Sequence, residues 1–128
     1  MQINEYFIHI SQQLSIFQYI ISSEIIEDIR TSSEGFIKAL IIFIDGSILS
    51  FREYVSTGIE PPIKFTYSYH YYKNQNLIFR YDNAPHHKEI SSFPHYKHLA
   101  NESVISCLPP TIDMVLSETK DYIHPLES

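Results

Sequence analysis

Five of the seven histidines in this 128-residue chain lie between residues 70 and 98. An imidazole can take up or release a proton close to neutral pH, and its neutral form is a common metal ligand. A cluster of this kind therefore indicates acid–base chemistry, metal binding or a recognition surface. The five are His70, His86, His87, His95 and His98, the last four of them in the segment FRYDNAPHHKEISSFPHYKHLA.

Metal-free cleavage of RNA is the first chemistry that this set could perform. One imidazole would remove the 2′-hydroxyl proton, and a second group would protonate the leaving 5′-oxygen. We predict that His86 forms this pair with His95 or His98. Arg80 suits bidentate contact with the phosphate, and Lys97 suits contact as a point charge.

Other polar and aromatic residues of the same region are predicted to bind the substrate. Tyr69 belongs to a run of tyrosines that could stack on an unpaired base. The remaining predicted binding residues are His70, His87, Asp82 and Asn83.

Two further interpretations of the cluster stay open. His95 and His98 have His-x-x-His spacing and could bind zinc together with His86, His87 or Asp82. We predict neither a metal nor another cofactor. The segment could also recognise a protein or a nucleic acid without doing any chemistry.

The charge of the chain is uneven. The formal net charge is −6, which alone argues against sequence-independent binding of nucleic acid. The window 70–98, however, carries four basic and two acidic residues, a net charge of +2. A locally basic patch on an acidic body is compatible with an anionic ligand at one face, and also with an acidic remainder that docks a basic partner.

Bulk composition narrows the class of protein. One domain, 1–128, is expected from the length. The single cysteine, Cys107, cannot form an internal disulfide, which predicts a cytoplasmic location. No apolar run approaches the ~18 residues of a membrane span, so we expect no membrane partner.

Periodicity predicts an α+β fold with an antiparallel meander of about five strands. Apolar residues at helical spacing predict an N-terminal helix over 3–21. Asp45-Gly46 predicts a hairpin of strands 36–44 and 47–55, preceded by a strand at 25–31. The sheet is expected over 25–82 and a second amphipathic helix over 111–123, capped by Thr111.

Strict alternation in IKFTYSYHYY places Ile63, Phe65, Tyr67, Tyr69 and Tyr71 on one face of a strand. The next strand, NLIFRYD, would then bring Arg80 beside His70 on the opposite face. A His-rich loop is expected over 82–100, in which a helical turn at PHYKHLA would give His95 and His98 a common face.

Several stretches resemble the TumE-like proteins. They are DGSILSFREYV (45–55), YSYHYY (67–72), LIFRYDNAPHHKEI (77–90), FPHYKH (93–98) and PPTIDMVLSE (109–118). The resemblance implies the toxin half of a prokaryotic toxin–antitoxin pair, commonly a protein that attacks RNA or translation. It also implies a partner antitoxin with a helix-turn-helix domain; a homodimer is compatible with an exposed sheet edge. The residues that match the motif are Tyr69, His70, Arg80, Asp82, Asn83, His86, His87, His95, Lys97 and His98.

Overall fold

The computed structural model describes residues 1–85 and 93–123. Helix α1 (Ile3–Ile16) leads into a seven-stranded antiparallel sheet, and helix α2 (Ile112–Thr119) follows it. Each strand pairs with the next one along the chain, so the sheet is a meander. The strands are β1 (Ile20–Ile29), β2 (Glu34–Phe43), β3 (Ile48–Ser56), β4 (Ile63–Lys73), β5 (Asn76–Asp82), β6 (Tyr96–Leu99) and β7 (Val104–Ser106).

The α+β class and the hairpin at Asp45-Gly46 are confirmed, but the expected number of strands, about five, is wrong. Strands β6 and β7 add to the edge at β5, so part of the predicted loop 82–100 is strand. The first helix ends at Ile16 rather than residue 21, because the chain joins β1 from Ile20. Thr111 caps α2 as predicted, accepting a hydrogen bond from the backbone of Met114.

Both helices pack on the same side of the sheet, which we call the helix face. The buried residues of α1 recur every three or four positions, as expected for an amphipathic helix: Ile3, Phe7, Ile10 and Leu14. At Gly35 a Cβ atom would lie 3.0 Å from the side chains of Ile3 and Phe7, so glycine allows α1 to approach β2 closely. Among the residues that the structure describes, no helix is long and apolar enough to cross a membrane.

The opposite side of the sheet, which we call the groove face, is polar and aromatic. Side chains alternate along each strand, so every second residue of β2, β3, β4 and β5 points away from the helices. The groove face carries Phe36, Lys38, Ser50, Arg52, Tyr54, Thr66, Ser68, His70, Arg80 and Asp82.

A bulge in β4 breaks the alternation that the sequence predicts. Tyr54 is paired with Thr66 but Val55 with Lys64, so β4 contains one extra residue, Phe65, at this point. A bulge of this kind changes the direction of the side chains on either side of it. Lys64 therefore turns toward the helix face, and Phe65 lies on the groove face rather than with Tyr67.

Lys64 reaches a buried carboxylate on the helix face. Glu53 is fully buried, and its oxygens accept hydrogen bonds from the hydroxyls of Tyr6 (2.5 Å) and Tyr69. Lys64 Nζ lies 3.3 Å from Glu53 Oε2 and also donates to Tyr69 Oη and to the carbonyl of Pro110 (2.6 Å). Burial lowers the pKa of Lys64, and the charge and hydrogen bond of Glu53 only partly offset this effect.

Candidate functional site

Two imidazoles flank a guanidinium on the groove face. His70 of β4 is paired with Arg80 of β5, and Arg80 is paired with His98 of β6. Neighbouring strands lie ~4.8 Å apart, so the three side chains form one row across the sheet. The predicted pairing of His70 with Arg80 is therefore confirmed, and His98 joins it from a strand that the sequence analysis did not predict.

Asp82 connects two members of this row. Its Oδ2 accepts a hydrogen bond from Arg80 Nε at 2.8 Å and lies 3.0 Å from His98 Nε2, while its Oδ1 accepts from the backbone of Ala84 at 3.0 Å. The Asp82 side chain is only 5% exposed, so the carboxylate is held in place by these contacts.

The contact between Arg80 and His98 is weaker. Arg80 Nη2 is 3.5 Å from His98 Nε2. A guanidinium can only donate hydrogen bonds, and Nε2 must carry a proton to donate to Asp82. We therefore assign the hydrogen bond of Nε2 to Asp82 and treat Arg80 as a neighbouring charge.

His70 and Arg80 of this row line a groove, and Asp82 connects the groove to His98. One cavity of about 600 Å³ is lined by Arg52, Ser68, Arg80 and Asp82 among others, and it continues toward Asn83, Ala84 and Pro85. A second cavity of about 310 Å³ shares Arg52, Ser68 and Arg80 with the first and adds Lys38 and His70. The two cavities together form a groove with a positively charged lining.

Lys38 and Arg52 are paired on neighbouring strands of the groove face, and both are exposed. Within residues 1–85 and 93–123, neither forms a salt bridge. Neither is among the site residues predicted from the sequence, although Arg52 alternates with buried Phe51 and Glu53. Combining that alternation with the register of the Asp45-Gly46 hairpin would have paired the two cations on the face opposite the core.

His70 is suited to act as a neutral imidazole. Burial lowers its pKa from the ordinary value of 6.5, and the positive charge of Arg80 lowers it further. Its ring centroid is 4.9 Å from that of Tyr72, which holds the imidazole on the groove face.

His95 lies away from this row. Its Nδ1 is 2.9 Å from the hydroxyl of Tyr67, a core residue of the helix face, and the two rings stack with centroids 5.9 Å apart. Burial lowers the pKa of His95. The expected helical turn at PHYKHLA is wrong, because Tyr96–Leu99 is strand β6 and His98 points to the groove face. His95 and His98 thus have no common face.

Lys97 and Tyr69 also lie on the helix face, so neither lines the groove. Lys97 Nζ contacts Glu118 Oε2 of α2 at 2.5 Å, and the two side chains are only 17% and 19% exposed. Burial opposes the charge of Lys97, but its hydrogen bonds with Glu118 and Tyr81 outweigh this effect and raise its pKa. Tyr69 is fully buried and donates to Glu53, so its ring cannot receive a base.

Asn83 has a structural role beside the groove. Its Oδ1 accepts from the backbone of Tyr67 at 3.0 Å, and its Nδ2 donates to the carbonyl of Phe65 at 2.9 Å. The side chain therefore secures the backbone on both sides of Thr66, next to the bulge in β4.

The predictions for His86 and His87 fall on residues outside the part of the chain that the structure describes. Within the described ranges, no group of three or more His, Cys, Asp or Glu side chains is placed to hold a metal ion. A metal site that includes His86 or His87 stays the open alternative to the prediction of no metal.

Comparison with known proteins gives a family. No curated protein and no solved structure matches this chain significantly. The family model described as "Toxin TumE" matches residues 9–123, a range that includes the whole sheet, α2 and the His70–Arg80–His98 row. With a match over nearly its whole length, the chain belongs to the Toxin TumE family.

Proposed function

We propose that this protein is a metal-independent ribonuclease and the toxin of a toxin–antitoxin pair, with its active site on the groove face. The observation that carries the proposal is the Asp82 carboxylate, which contacts both Arg80 and His98 beside an open groove. Membership of a toxin family supports the biological role, and the geometry supports the chemistry.

His70 is the proposed general base. Its lowered pKa keeps the imidazole neutral at pH 7, the form that can remove the 2′-hydroxyl proton of a ribose. The 2′-oxygen then attacks phosphorus while the bond from phosphorus to the 5′-oxygen breaks. The products are a 2′,3′-cyclic phosphate and a 5′-hydroxyl end.

His98 is the proposed general acid that gives the leaving 5′-oxygen its proton. Asp82 orients the ring and compensates the charge that the imidazole carries in its protonated form. Arg80 retains guanidinium nitrogens beyond the Nε that contacts Asp82, and they stabilise the pentacoordinate phosphate between the two histidines. The proposal rests on His70 rather than His86 as the partner of His98, because His70 stands in the same row.

The charge of the groove supports an anionic substrate. Among residues 1–85 and 93–123, Lys38, Arg52 and Arg80 line the two cavities against one carboxylate, Asp82, in a chain whose net charge is −6. Placing cations at a groove on an acidic protein concentrates a polyanion at that face. We propose that a helix-turn-helix antitoxin binds the toxin and blocks this activity.

A second candidate is a non-enzymatic interaction protein. Strand β1 lies at the sheet edge with three exposed isoleucines, Ile21, Ile26 and Ile29. An exposed edge strand offers unpaired backbone groups to another chain. This observation favours binding of the antitoxin, or of a second copy, without any chemistry.

Growth arrest on induction separates the two candidates. We expect wild type to arrest growth, His70→Gln, Arg80→Gln and His98→Gln to lose the arrest, and antitoxin co-expression to restore growth. His9→Gln is the matched control, because His9 is exposed on α1. Soluble protein level and thermal melting check that each variant folds. Equal arrest by all four variants would exclude the ribonuclease and favour action by binding.

A further inference from the structure

Three aromatic residues form a strip at one end of the groove. Phe36 of β2 is paired with Tyr54 of β3, and the ring of Phe65 lies 5.5 Å from that of Tyr54 at an interplanar angle of 38°. Phe65 is 48% exposed, an unusual environment for a phenylalanine in the middle of a sheet. We call Phe36, Tyr54 and Phe65 the aromatic strip.

The bulge in β4 is what puts Phe65 there. Without the extra residue, unbroken alternation would place Phe65 with Tyr67 and Tyr69 on the helix face. The bulge is secured on both sides, by the burial of Lys64 against Glu53 and by the hydrogen bond from Asn83 to the carbonyl of Phe65. Bulges are frequent next to active sites, where they redirect a side chain.

The strip adjoins the cations. Lys38 and Arg52 are each two residues along from Phe36 and Tyr54 on the same strands, about 7 Å away at ~3.4 Å per residue. An aromatic surface beside a row of exposed cations is the arrangement by which proteins bind single-stranded nucleic acid, with bases on the rings and phosphates on the charges. Aromatic and arginine side chains also occur at protein interfaces, but the row of cations beside these rings favours a polyanion.

We propose that the substrate of the groove is single-stranded RNA, with an unpaired base stacked on Phe65 and Tyr54 and its phosphates neutralised by Lys38, Arg52 and Arg80. This inference rests on the ribonuclease proposed above and specifies its substrate class. Double-stranded RNA is excluded because its bases are stacked on one another and cannot present a free face to a side chain.

A single-tryptophan variant tests the stacking. The chain contains no tryptophan, so Phe65→Trp introduces one fluorophore while keeping an aromatic ring at the site. We expect a single-stranded 2′-O-methyl 12-mer, which cannot be cleaved at the blocked 2′-oxygen, to quench this fluorescence. A 12-base-pair duplex should not quench it. Tyr122→Trp, an exposed aromatic position that contacts the helix-face residues Tyr71 and Phe79, is the control and should not respond to either probe.

Fluorescence anisotropy of the labelled 12-mer measures how much the stacked base contributes to affinity. Phe65→Ala should weaken binding about 5- to 150-fold, the loss expected for one stacked base, whereas Tyr122→Ala should leave it unchanged. Three phosphate contacts predict a slope of log K against log salt of about −2, falling to about −1.4 in Arg52→Gln.

The outcomes separate the two proposals. If wild type binds the 12-mer but Phe65→Trp is not quenched, or if the duplex quenches it equally, the single-strand inference is wrong while the ribonuclease can stand. If Phe65→Ala binds RNA as wild type does, the strip does not bind bases and the single-strand inference is wrong. If wild type binds no RNA at all, both proposals fail.

Discussion

Replacing the buried Glu53 with glutamine should lower the free energy of unfolding by about 3–5 kcal/mol, the cost of breaking a buried ion pair by removing one partner. The change removes the carboxylate that accepts from Tyr6 and Tyr69 and neutralises the charge facing Lys64. Lys64 keeps its contacts to Tyr69 and Pro110, but its charge is then uncompensated in a buried site.

Denaturant unfolding followed by circular dichroism measures this change. A loss of about 3–5 kcal/mol is a large part of the ~5–15 kcal/mol typical of a domain, and it corresponds to a melting temperature lower by about 10–20 °C. Glu24→Gln is the control: Glu24 is exposed on β1, and its replacement should change stability by less than about 0.5 kcal/mol.

A double-mutant cycle that adds Lys64→Met measures the interaction energy between Glu53 and Lys64. The double variant leaves no unpaired charge. Its loss of unfolding free energy should therefore be smaller than the sum of the losses in Glu53→Gln and Lys64→Met by about 1–3 kcal/mol. A Glu53→Gln variant as stable as wild type, or strictly additive costs, would refute the argument that this ion pair secures Lys64 on the helix face.

Two further predictions concern the site and its surroundings. Arg80→Gln should raise the pKa of His70, because the guanidinium charge that disfavours the imidazolium is gone. Burial should still keep this pKa below 6.5. The pKa of His95, which burial lowers, should not change, and an NMR titration measures the pKa of both rings. An unchanged His70 would mean that Arg80 does not act on it. Lys97→Met should lower the free energy of unfolding by about 1–2 kcal/mol, because the contact with Glu118 is lost, and should leave RNA cleavage intact. Thermal melting and a cleavage assay measure the two effects. Loss of cleavage at unchanged stability would show that Lys97 contacts the substrate.

The strands in the central part of the sheet could be predicted from the sequence because the patterns that indicate them are local. Asp45-Gly46 fixes one hairpin, and alternation fixes the strands around it. His70 and Arg80 were predicted on matching faces from alternation, and a bulge between Tyr71 and Tyr72 sets the register that pairs them. The two short strands at the far edge were missed, since four and three residues flanked by prolines and polar residues give almost no periodicity.

Tyr69, Lys97 and Phe65 lie where local patterns alone do not put a substrate contact. Tyr69 was predicted on the face opposite His70, and the structure buries it there against Glu53. Lys97 was expected in a loop, but strand β6 pairs it with Tyr81 and turns it toward α2. The bulge at Phe65 depends on a buried Lys64–Glu53 contact between neighbouring strands, which no local pattern reports.

The most direct test of the account is the chemistry of the RNA ends. Purified protein is incubated in excess EDTA with a single-stranded RNA, and the products are analysed for their termini. We predict 2′,3′-cyclic phosphate and 5′-hydroxyl ends for wild type and His9→Gln, and cleavage slower by at least ~10²-fold for His70→Gln and for His98→Gln. Cleavage by both variants at the wild-type rate, or products with 3′-hydroxyl and 5′-phosphate ends, would contradict an active site built on the His70–Arg80–His98 row.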